Sequence, residues 1–378
     1  MGPLAGLRII EMAGLGPTPF AGMLLSDMGA EVIRLVRPND TSIGAGSWNH
    51  LHRGRPALEC DIGTGHGREL VCQLAERADA LIEGFRPGVM ERHLLGSEQL
   101  CARNPRLVYG RATGYGQDGP LSRRAGHDIN YISIAGVLGS IARAGERPQF
   151  PLSLLGDFGG GGMLLAFGVL CGVLEAGRSG RGQVIDAAMV DGTALLSTVF
   201  HALRNAGMAD DEPGTNSFDG GAHFYNVYAT SDGAYIAVGA VEAPFYARLL
   251  EVLGLDPREF PQWDRARWPE LTDRFAAAFR QKTRAAWEMI LEPADACATA
   301  VYRIGEAPHH PHNVTRGTFV HVGHDLQPAP APRFSRTVPE LPEPAPEPGT
   351  DPGAALAGWG LTETDINTLT RASQPTEE

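Results

Sequence analysis

Three short stretches hold side chains able to move protons. The first, Gly126-His127-Asp128-Ile129-Asn130-Tyr131, pairs a histidine with an aspartate. An imidazole exchanges protons near neutral pH, and a neighbouring carboxylate can set its tautomer or orientation. The same pair also reads as a helix start, with Asp128 in the first turn and His127 merely exposed. The second stretch, Gly156-Asp157-Phe158-Gly159-Gly160-Gly161-Gly162, sets an aspartate among glycines, which leave room for close approach of a substrate. It lacks the Gly-Lys-Ser/Thr of a phosphate loop and does not match G-x-G-x-x-G. Alternatively Asp157 is the N-cap of a helix through Met163 to Leu174, and both readings can hold because a helix N-terminus favours a carboxylate. The third candidate is Glu242, placed where a hairpin gives way to a helix, where a first-turn glutamate also suits the helix dipole.

Arginines recur near the ends of apolar runs: Arg34, Arg37, Arg86 and Arg92. Their planar forks suit phosphates, although an arginine taken singly is most often a solvated side chain. Lys282 is the only lysine, which removes most Schiff-base chemistry and leaves arginine as the phosphate binder. His309-His310-Pro311-His312 lacks the cysteine or carboxylate spacing of zinc sites, and no metal is expected.

These groups need a scaffold. Apolar runs at Leu7–Met12, Glu31–Arg37, Ala57–Ile62, Ala80–Phe85 and Leu107–Ala112 read as strands. Helical patterns at Pro19–Met28, with Thr18 as a possible N-cap, and at Gly67–Arg77 and Ser97–Arg103 alternate with them. That alternation predicts an α/β fold with a mainly parallel, Rossmann-like sheet, which binds ligands beyond the carboxyl ends of its strands. After about residue 220 the pattern changes. Tyr225–Thr230 and Ala234–Gly239 flank Ser231-Asp232-Gly233, a hairpin signal, and helices follow at Pro244–Leu253, Trp268–Lys282 and Arg284–Leu291. A smaller α+β domain is expected.

Nine of the 28 prolines fall between Pro328 and Pro352, so that stretch should run extended over the surface. A helical pattern returns at Thr362–Thr370. The expected organisation is a large ligand-binding domain at 1–200, a linker at 201–222, the small domain at 223–310, a proline-rich return at 311–352, and a C-terminal helix at 353–378 packed on the large domain. No internal repeat of fixed period is visible.

The net charge of −12 argues against nucleic acid as the main partner. The longest apolar run, Met163–Leu174, falls short of the ~20 residues that span a bilayer, and no signal peptide, myristoylation or peroxisomal signal is read. Cys60, Cys72, Cys101, Cys171 and Cys297 are spread singly, as reduced thiols in a cytosol would be, and the Arg-, Ala-, Gly- and Pro-rich composition suits a bacterium with a GC-rich genome.

Taken together and in order, the motifs resemble the α-methylacyl-CoA racemases, in the superfamily of family III CoA-transferases. The resemblance runs nearly end to end. It covers Pro3 to Glu11, Ile82-Glu83-Gly84-Phe85-Arg86-Pro87-Gly88, Ala112-Thr113-Gly114-Tyr115-Gly116-Gln117, the Gly126 and Gly156 stretches, Asp186 to Gly192, and Ala331 to Arg336. It implies that His127 and Asp157 are the acid/base pair. It also implies that Glu242 from a second subunit orients His127, and that two subunits interlock as a homodimer. Transferases of the superfamily use an aspartate matching Asp157 as nucleophile and carry an aromatic residue where this chain has His127. For coenzyme A the resemblance carries over Arg37, the segment Cys60, Asp61, Ile62 and Gly63, then Gly84, Phe85, Arg86 and Arg92, and Gly126, Asp128, Ile129, Asn130 and Tyr131.

The implied reaction is interconversion of (R)- and (S)-2-methylacyl-CoA thioesters in branched-chain fatty acid or sterol side-chain breakdown, with no cofactor beyond the CoA of the substrate. Met12, Met163, Met189 and Met208 are adaptable candidates for the acyl surface, though each taken singly reads as a core methionine. The alternatives are a CoA-transferase working through an anhydride at Asp157, and a CoA-binding protein without catalysis.

Overall fold

The computed structural model describes residues 2–40, 46, 48–345 and 352–362. The chain divides into two compact units. The larger takes in Met1–Ala135, Pro151–Leu196 and the described residues from Arg316 on; the smaller takes in Gly136–Phe150 and Ser197–Thr315.

The larger unit begins with β1 (Arg8–Met12), α1 (Pro17–Asp27), β2 (Glu31–Val36), β3 (Ala57–Glu59), α2 (Gly65–Ala75), β4 (Ala80–Glu83), α3 (Val89–Arg92), α4 (Ser97–Arg103), β5 (Val108–Thr113) and α5 (Asp128–Ile134). After residue 150 it resumes with a π-helical stretch, Leu154–Met163, which runs straight into α6 (Leu164–Ser179), then β6 (Val184–Ala188) and α7 (Met189–Leu196). The six strands pair in the order β3-β2-β1-β4-β5-β6, all parallel, with Ile9 opposite both Val32 and Ala80. This is a doubly wound sheet whose direction of winding reverses between β1 and β4. Successive strand residues alternate between two faces. Ile10, Ile33, Leu58, Leu81 and Tyr109 enter one core with Leu70 and Leu74 of α2; Ile9, Val32, Ile82 and Val108 enter the other with Leu25 of α1 and Leu165 and Val169 of α6. Burying each such side chain contributes roughly 1.5–3 kcal/mol, and burial on both faces is why these strands read as continuous apolar runs.

Two helix starts differ from expectation. The first helix begins at Pro17 with Gly16 as N-cap, so Thr18 lies buried in the first turn and caps nothing. The second is that of the glycine stretch. Asp157 lies inside the π-helical segment, whose N-cap is Ser153, so the N-cap role for Asp157 is overturned. Glycines make this geometry possible by contact: a Cβ on Gly192 of α7 would overlap the Gly160 carbonyl. The helical run Leu154–Ser179 spans 26 residues and by length and composition alone could cross a membrane, longer than the apolar run read from sequence. Its Leu165, Ala166, Val169 and Ala176 are buried in the sheet's core.

The smaller unit contains α8 (Thr198–Asn205), the hairpin of β7 (Tyr225–Ala229) and β8 (Tyr235–Gly239), α9 (Ala243–Leu253), α10 (Trp268–Phe279), α11 (Arg284–Leu291) and β9 (Ala298–Ala300). Its sheet is antiparallel, β7-β8-β9. The core is aromatic: Phe224, Tyr228, Tyr246, Phe260, Trp268, Phe275, Phe279 and Trp287 are all buried. The unit begins earlier than the expected boundary at 223, because α8 belongs to it. It also claims 136–150, where Arg143 Nη1 donates to Asn226 Oδ1 at 3.4 Å.

The chain then forms α12 (Pro311–Arg316) and a second hairpin of β10 (Phe319–Val322) and β11 (Asp325–Pro328), so the stretch read as a linker is structured at its start. That hairpin is tied into the larger unit: Arg53, paired with Asp27 at 2.5 Å, also donates to Gln327 Oε1 at 3.2 Å and to the Pro328 carbonyl at 2.8 Å. Finally α13 (Pro352–Gly358) puts Leu356, together with Trp359 and Leu361 just beyond it, into the α2-side core of the sheet. The expected helix at Thr362–Thr370 lies outside the described residues, save its first residue.

Candidate active site

Two of the segments singled out from sequence, those at residues 60–63 and 84–88, directly follow strands β3 and β4, and the glycine-rich segment reaches the turn after β1. Gly16 lies in the turn after β1, at the point where the winding reverses. Its backbone is left-handed (φ 66°), and a Cβ there would stand 3.0 Å from Asp157 Oδ2. The Asp157 carboxylate thus lies over the β1–α1 turn, where open parallel sheets bind ligands. Phe158 anchors that segment against Phe20 of α1, ring centroids 4.9 Å apart.

His127 is the N-cap of α5, and Asp128 is the first residue of the helix. The His127 side chain is exposed, while its backbone N–H donates to Asn130 Oδ1 at 3.0 Å. Asp128 is only 3% exposed. Its Oδ2 accepts the backbone N–H groups of Gly156, at 2.6 Å, and Asp157, at 2.8 Å. The helix-start reading of this stretch therefore holds, and the Asp128 side chain, rather than bonding to the neighbouring histidine, fastens the glycine-rich segment 28 residues away. The half-buried Asp157 carboxyl is pushed up to about 6, first by burial and then by the Asp128 carboxylate, while His127 pulls it back. His127 and Asp157 thus stand close enough for the imidazole to act on the carboxyl.

Tyr131, on the same helix, is buried. Its hydroxyl donates to the Gly126 carbonyl, and its ring meets Tyr115 edge-on at 5.0 Å. Burial and then Asp157 raise its hydroxyl to about 12, with Arg86 drawing it down. Arg86 therefore belongs to the same field.

The residues implied for coenzyme A sit on this edge. Arg37 follows β2 and is exposed. Cys60 to Gly63 join β3 to α2. Cys60 itself is buried, donates to the Gly67 carbonyl at 3.4 Å and has its thiol pushed up to about 12 by burial, so this segment can offer a ligand backbone and Asp61 but no thiolate. Asp61 Oδ1 accepts the Gly63 N–H at 2.9 Å, and Ile62 packs on the core. Gly84 and Arg86 are exposed after β4, Phe85 packs on the core between them, and Arg92 is exposed at the end of α3. Ile129 and Asn130 are exposed on α5. In the smaller unit, Glu242 is the exposed N-cap of α9. Of the four methionines, Met12 and Met189 are buried, which removes them from an acyl surface; Met163 and Met208 are exposed. His310 is engaged locally, its ring edge-on to Tyr302 at 5.0 Å and its Nδ1 accepting the His312 N–H at 3.2 Å.

Sequence reasoning missed a buried polar cluster under the β4 loop, Glu83 with Arg111. Both lie within quoted or predicted segments, but their meeting joins residues 28 apart in sequence, and no local pattern signals it.

A doubly wound sheet with an acidic and an imidazole side chain beyond its carboxyl edge defines an α/β fold that sets two groups able to exchange protons where such sheets bind ligands. Residues 4–352 match the family described as CoA-transferase family III, and the chain belongs to that family. It is 45% identical to the alpha-methylacyl-CoA racemase of Mus musculus over 96% of this chain and 95% of that protein. It is 44% identical to the alpha-methylacyl-CoA racemase of Homo sapiens, over 88% and 87%. Its fold is that of a CAIB/BAIF family protein from Brucella suis, with a TM-score of 0.83 at 24% identity over 95% of this chain and 99% of the other.

Proposed function

We propose that this protein is an isomerase that interconverts (R)- and (S)-2-methylacyl-CoA thioesters by 1,1-proton transfer. The observation that carries the reading is the place of Asp157, whose segment is fastened by Asp128 beside His127 in sequence and whose carboxylate lies over the β1–α1 turn; burial raises that carboxyl to about 6. Inversion at one carbon needs a base on one face and an acid on the other. A carboxyl titrating near 6 is available in both forms around neutrality. In one direction His127 takes the α-proton and protonated Asp157 returns one; in the other, ionised Asp157 takes it and the imidazolium of His127 returns one. The thioester carbonyl makes the α-hydrogen acidic by spreading the carbanion's charge onto oxygen as an enolate.

The enolate oxygen needs donors. The N–H groups of Gly156 and Asp157 are held by Asp128, and that of His127 by Asn130. The N–H of Asp128 itself, in the first turn of α5, is engaged by none of these. Arg37, Arg86 and Arg92, all exposed on the carboxyl side, suit the phosphates of coenzyme A. The reaction is written with no cofactor beyond that coenzyme.

Glu242 then orients His127 across a homodimer. Both side chains are exposed in the single chain, as a site completed by a second chain requires. Exposed apolar side chains on the larger unit, among them Phe167, Leu174 and Leu195, await cover of the same kind. The five free cysteines suit a cytosolic, bacterial setting, and the substrate reading places the enzyme in branched-chain fatty acid or sterol side-chain breakdown.

Incubating the pure protein with each 2-methylacyl-CoA epimer in deuterium oxide tests the proposal. Deuterium should enter the α-carbon of either epimer, with inversion and with no acceptor acid present. Exchange or CoA movement only when an acceptor carboxylate is added would favour transfer through an Asp157 anhydride instead.

A further inference from the structure

Beneath the Gly84–Gly88 loop lies a buried polar cluster that the proton-transfer chemistry does not use. Glu83, the last residue of β4, is 4% exposed, and its Oε2 accepts the backbone N–H of Phe85 at 2.6 Å. Its Oε1 stands 3.7 Å from Nε of Arg111 on β5, which is 9% exposed. Arg111 reaches further: Nη2 pairs with Glu91 on α3, and Nη1 donates to Gln117 Oε1 at 2.8 Å. Its guanidinium lies over the Tyr109 ring, 5.0 Å from the centroid. The Gln117 N–H in turn donates to Asp186 Oδ2 of β6 at 2.9 Å. One guanidinium therefore ties together the loop that carries Arg86, the short helix that ends in Arg92, and the start of the connection from β5 towards His127.

We infer that Glu83 and Arg111 are positioning residues that hold the Arg86 loop and the Arg92 helix in the geometry that receives the phosphates of a coenzyme A thioester. The inference rests on the proposed CoA-thioester reading. A guanidinium presents its five donors in a rigid planar fork, whereas a lysine ammonium offers three on a flexible stem. Both side chains are engaged beneath the loop rather than offered to a substrate. Their loss should therefore weaken ligand capture and leave turnover of bound substrate nearly intact.

The cluster also carries a pH dependence. Burial pushes the Glu83 carboxyl up to about 7, against the lowering pull of the Phe85 N–H and Arg111; Glu91 on α3 and Asp186 on β6 push it further up, and Tyr109 lies beside it on β5. Ionised Glu83 accepts the Phe85 N–H and attracts Arg111. Protonation removes that attraction, so the loop's hold weakens as pH falls.

The test uses the full chain and free coenzyme A as calorimetric probe, beside steady-state kinetics. Glu83→Gln and Arg111→Met should each weaken CoA binding and raise KM about tenfold, the scale of losing a charge-assisted bond. Their kcat should stay within about threefold of wild type. Because one unpaired buried charge can prevent folding, the double variant Glu83→Gln/Arg111→Met removes both charges together. It should fold and still show the raised KM, and Arg111→Lys should recover only part of the affinity. Between about pH 8 and pH 6, CoA binding should weaken more in wild type than in Glu83→Gln, the ligand's own phosphate titration being common to both. Unchanged affinity and KM in the folded double variant would overturn the inference, as would a loss confined to kcat. Absence of α-proton exchange by wild type would overturn the racemase reading instead, and the CoA-affinity arm would still decide the positioning role by itself.

Discussion

In the larger unit the buried carboxylates Asp128 and Glu83 bond backbone N–H groups of segments that follow or lie beside the carboxyl ends of the sheet: Gly156 and Asp157 for one, Phe85 for the other. In the smaller unit the buried polar groups bond within an aromatic core. His223 Nε2 lies 2.6 Å from the Tyr246 hydroxyl, which is 3.1 Å from the Phe260 carbonyl, and the Tyr228 hydroxyl donates to the His223 carbonyl at 2.5 Å. The first set holds the segments proposed to receive the substrate, whereas the second fixes the packing of one hydrophobic cluster. Substitutions in the first should therefore appear in kinetics and binding, and those in the second in stability.

The largest effect is expected at the site itself. His127→Ala should lower racemisation by about 10²–10⁴-fold while CoA thioesters still bind, the usual contribution of an acid/base group. Measured turnover within tenfold of wild type would remove His127 from the chemistry. Co-refolding Glu242→Ala with His127→Ala chains then asks whether sites are shared. A heterodimer with shared sites contains one site carrying both defects and one with both residues intact, so activity should reappear. No recovery with proven heterodimers would place each site within one chain. Smaller, and confined to binding, is the effect of Arg37→Ala or Arg92→Ala. Each should weaken a CoA thioester about tenfold while sparing its pantetheine analogue, which has no nucleotide phosphate to bond. Equal weakening of both ligands would take these arginines out of the phosphate site.

The stability predictions sharpen the contrast. Burial pushes His223 down to about 4, so between its ordinary value and 4 the unfolded chain binds a proton that the folded chain refuses. Stability of the smaller unit should fall as pH drops from about 6.5 to 4, by at most about 3 kcal/mol. His223→Leu should abolish that slope in aromatic circular dichroism, and an unchanged slope would acquit the histidine. Asp157 behaves in the opposite sense. Its carboxyl is raised, so ionising it disfavours the folded state as pH rises from about 4 to 6, and the penalty is complete at neutrality. Asp157→Asn should therefore raise thermal stability at pH 7, by about 1 kcal/mol after allowing for solvent screening of a half-buried group. A destabilised Asp157→Asn protein would show that the carboxylate holds structure as well.

Much of this arrangement is legible in the residues. Five of the six parallel strands and the hairpin of the smaller unit announce themselves by apolar runs and Asp-Gly chemistry. β6 did not, because Val184 to Ala188 is interrupted by Asp186 and begins exposed at a sheet edge. The π-helical segment was not legible, because its glycines fit the segment to α1 and α7 by contacts that only the fold reveals, and Asp157 read as an N-cap instead. The β10–β11 hairpin lay at the margin of a proline-rich stretch, where only tertiary bonds from Arg53 reveal that it is anchored. At the site, residue type and motif order were enough to single out His127 and Asp157. The grip of Asp128 on the glycine segment and the Glu83–Arg111 cluster were not legible, since each joins residues about 28 apart through contacts that no local spacing encodes.

The central claim is that two groups serve opposite faces of one carbon, and single-base variants test it most directly. His127→Ala and Asp157→Asn are each incubated with separate (R)- and (S)-2-methylacyl-CoA in deuterium oxide, and deuterium at the α-carbon is followed by NMR. The remaining base should wash solvent deuterium into one epimer only, a different epimer for each variant, with no inversion by either. Loss of exchange from the same epimer in both variants, or inversion surviving in either, would contradict the two-face account.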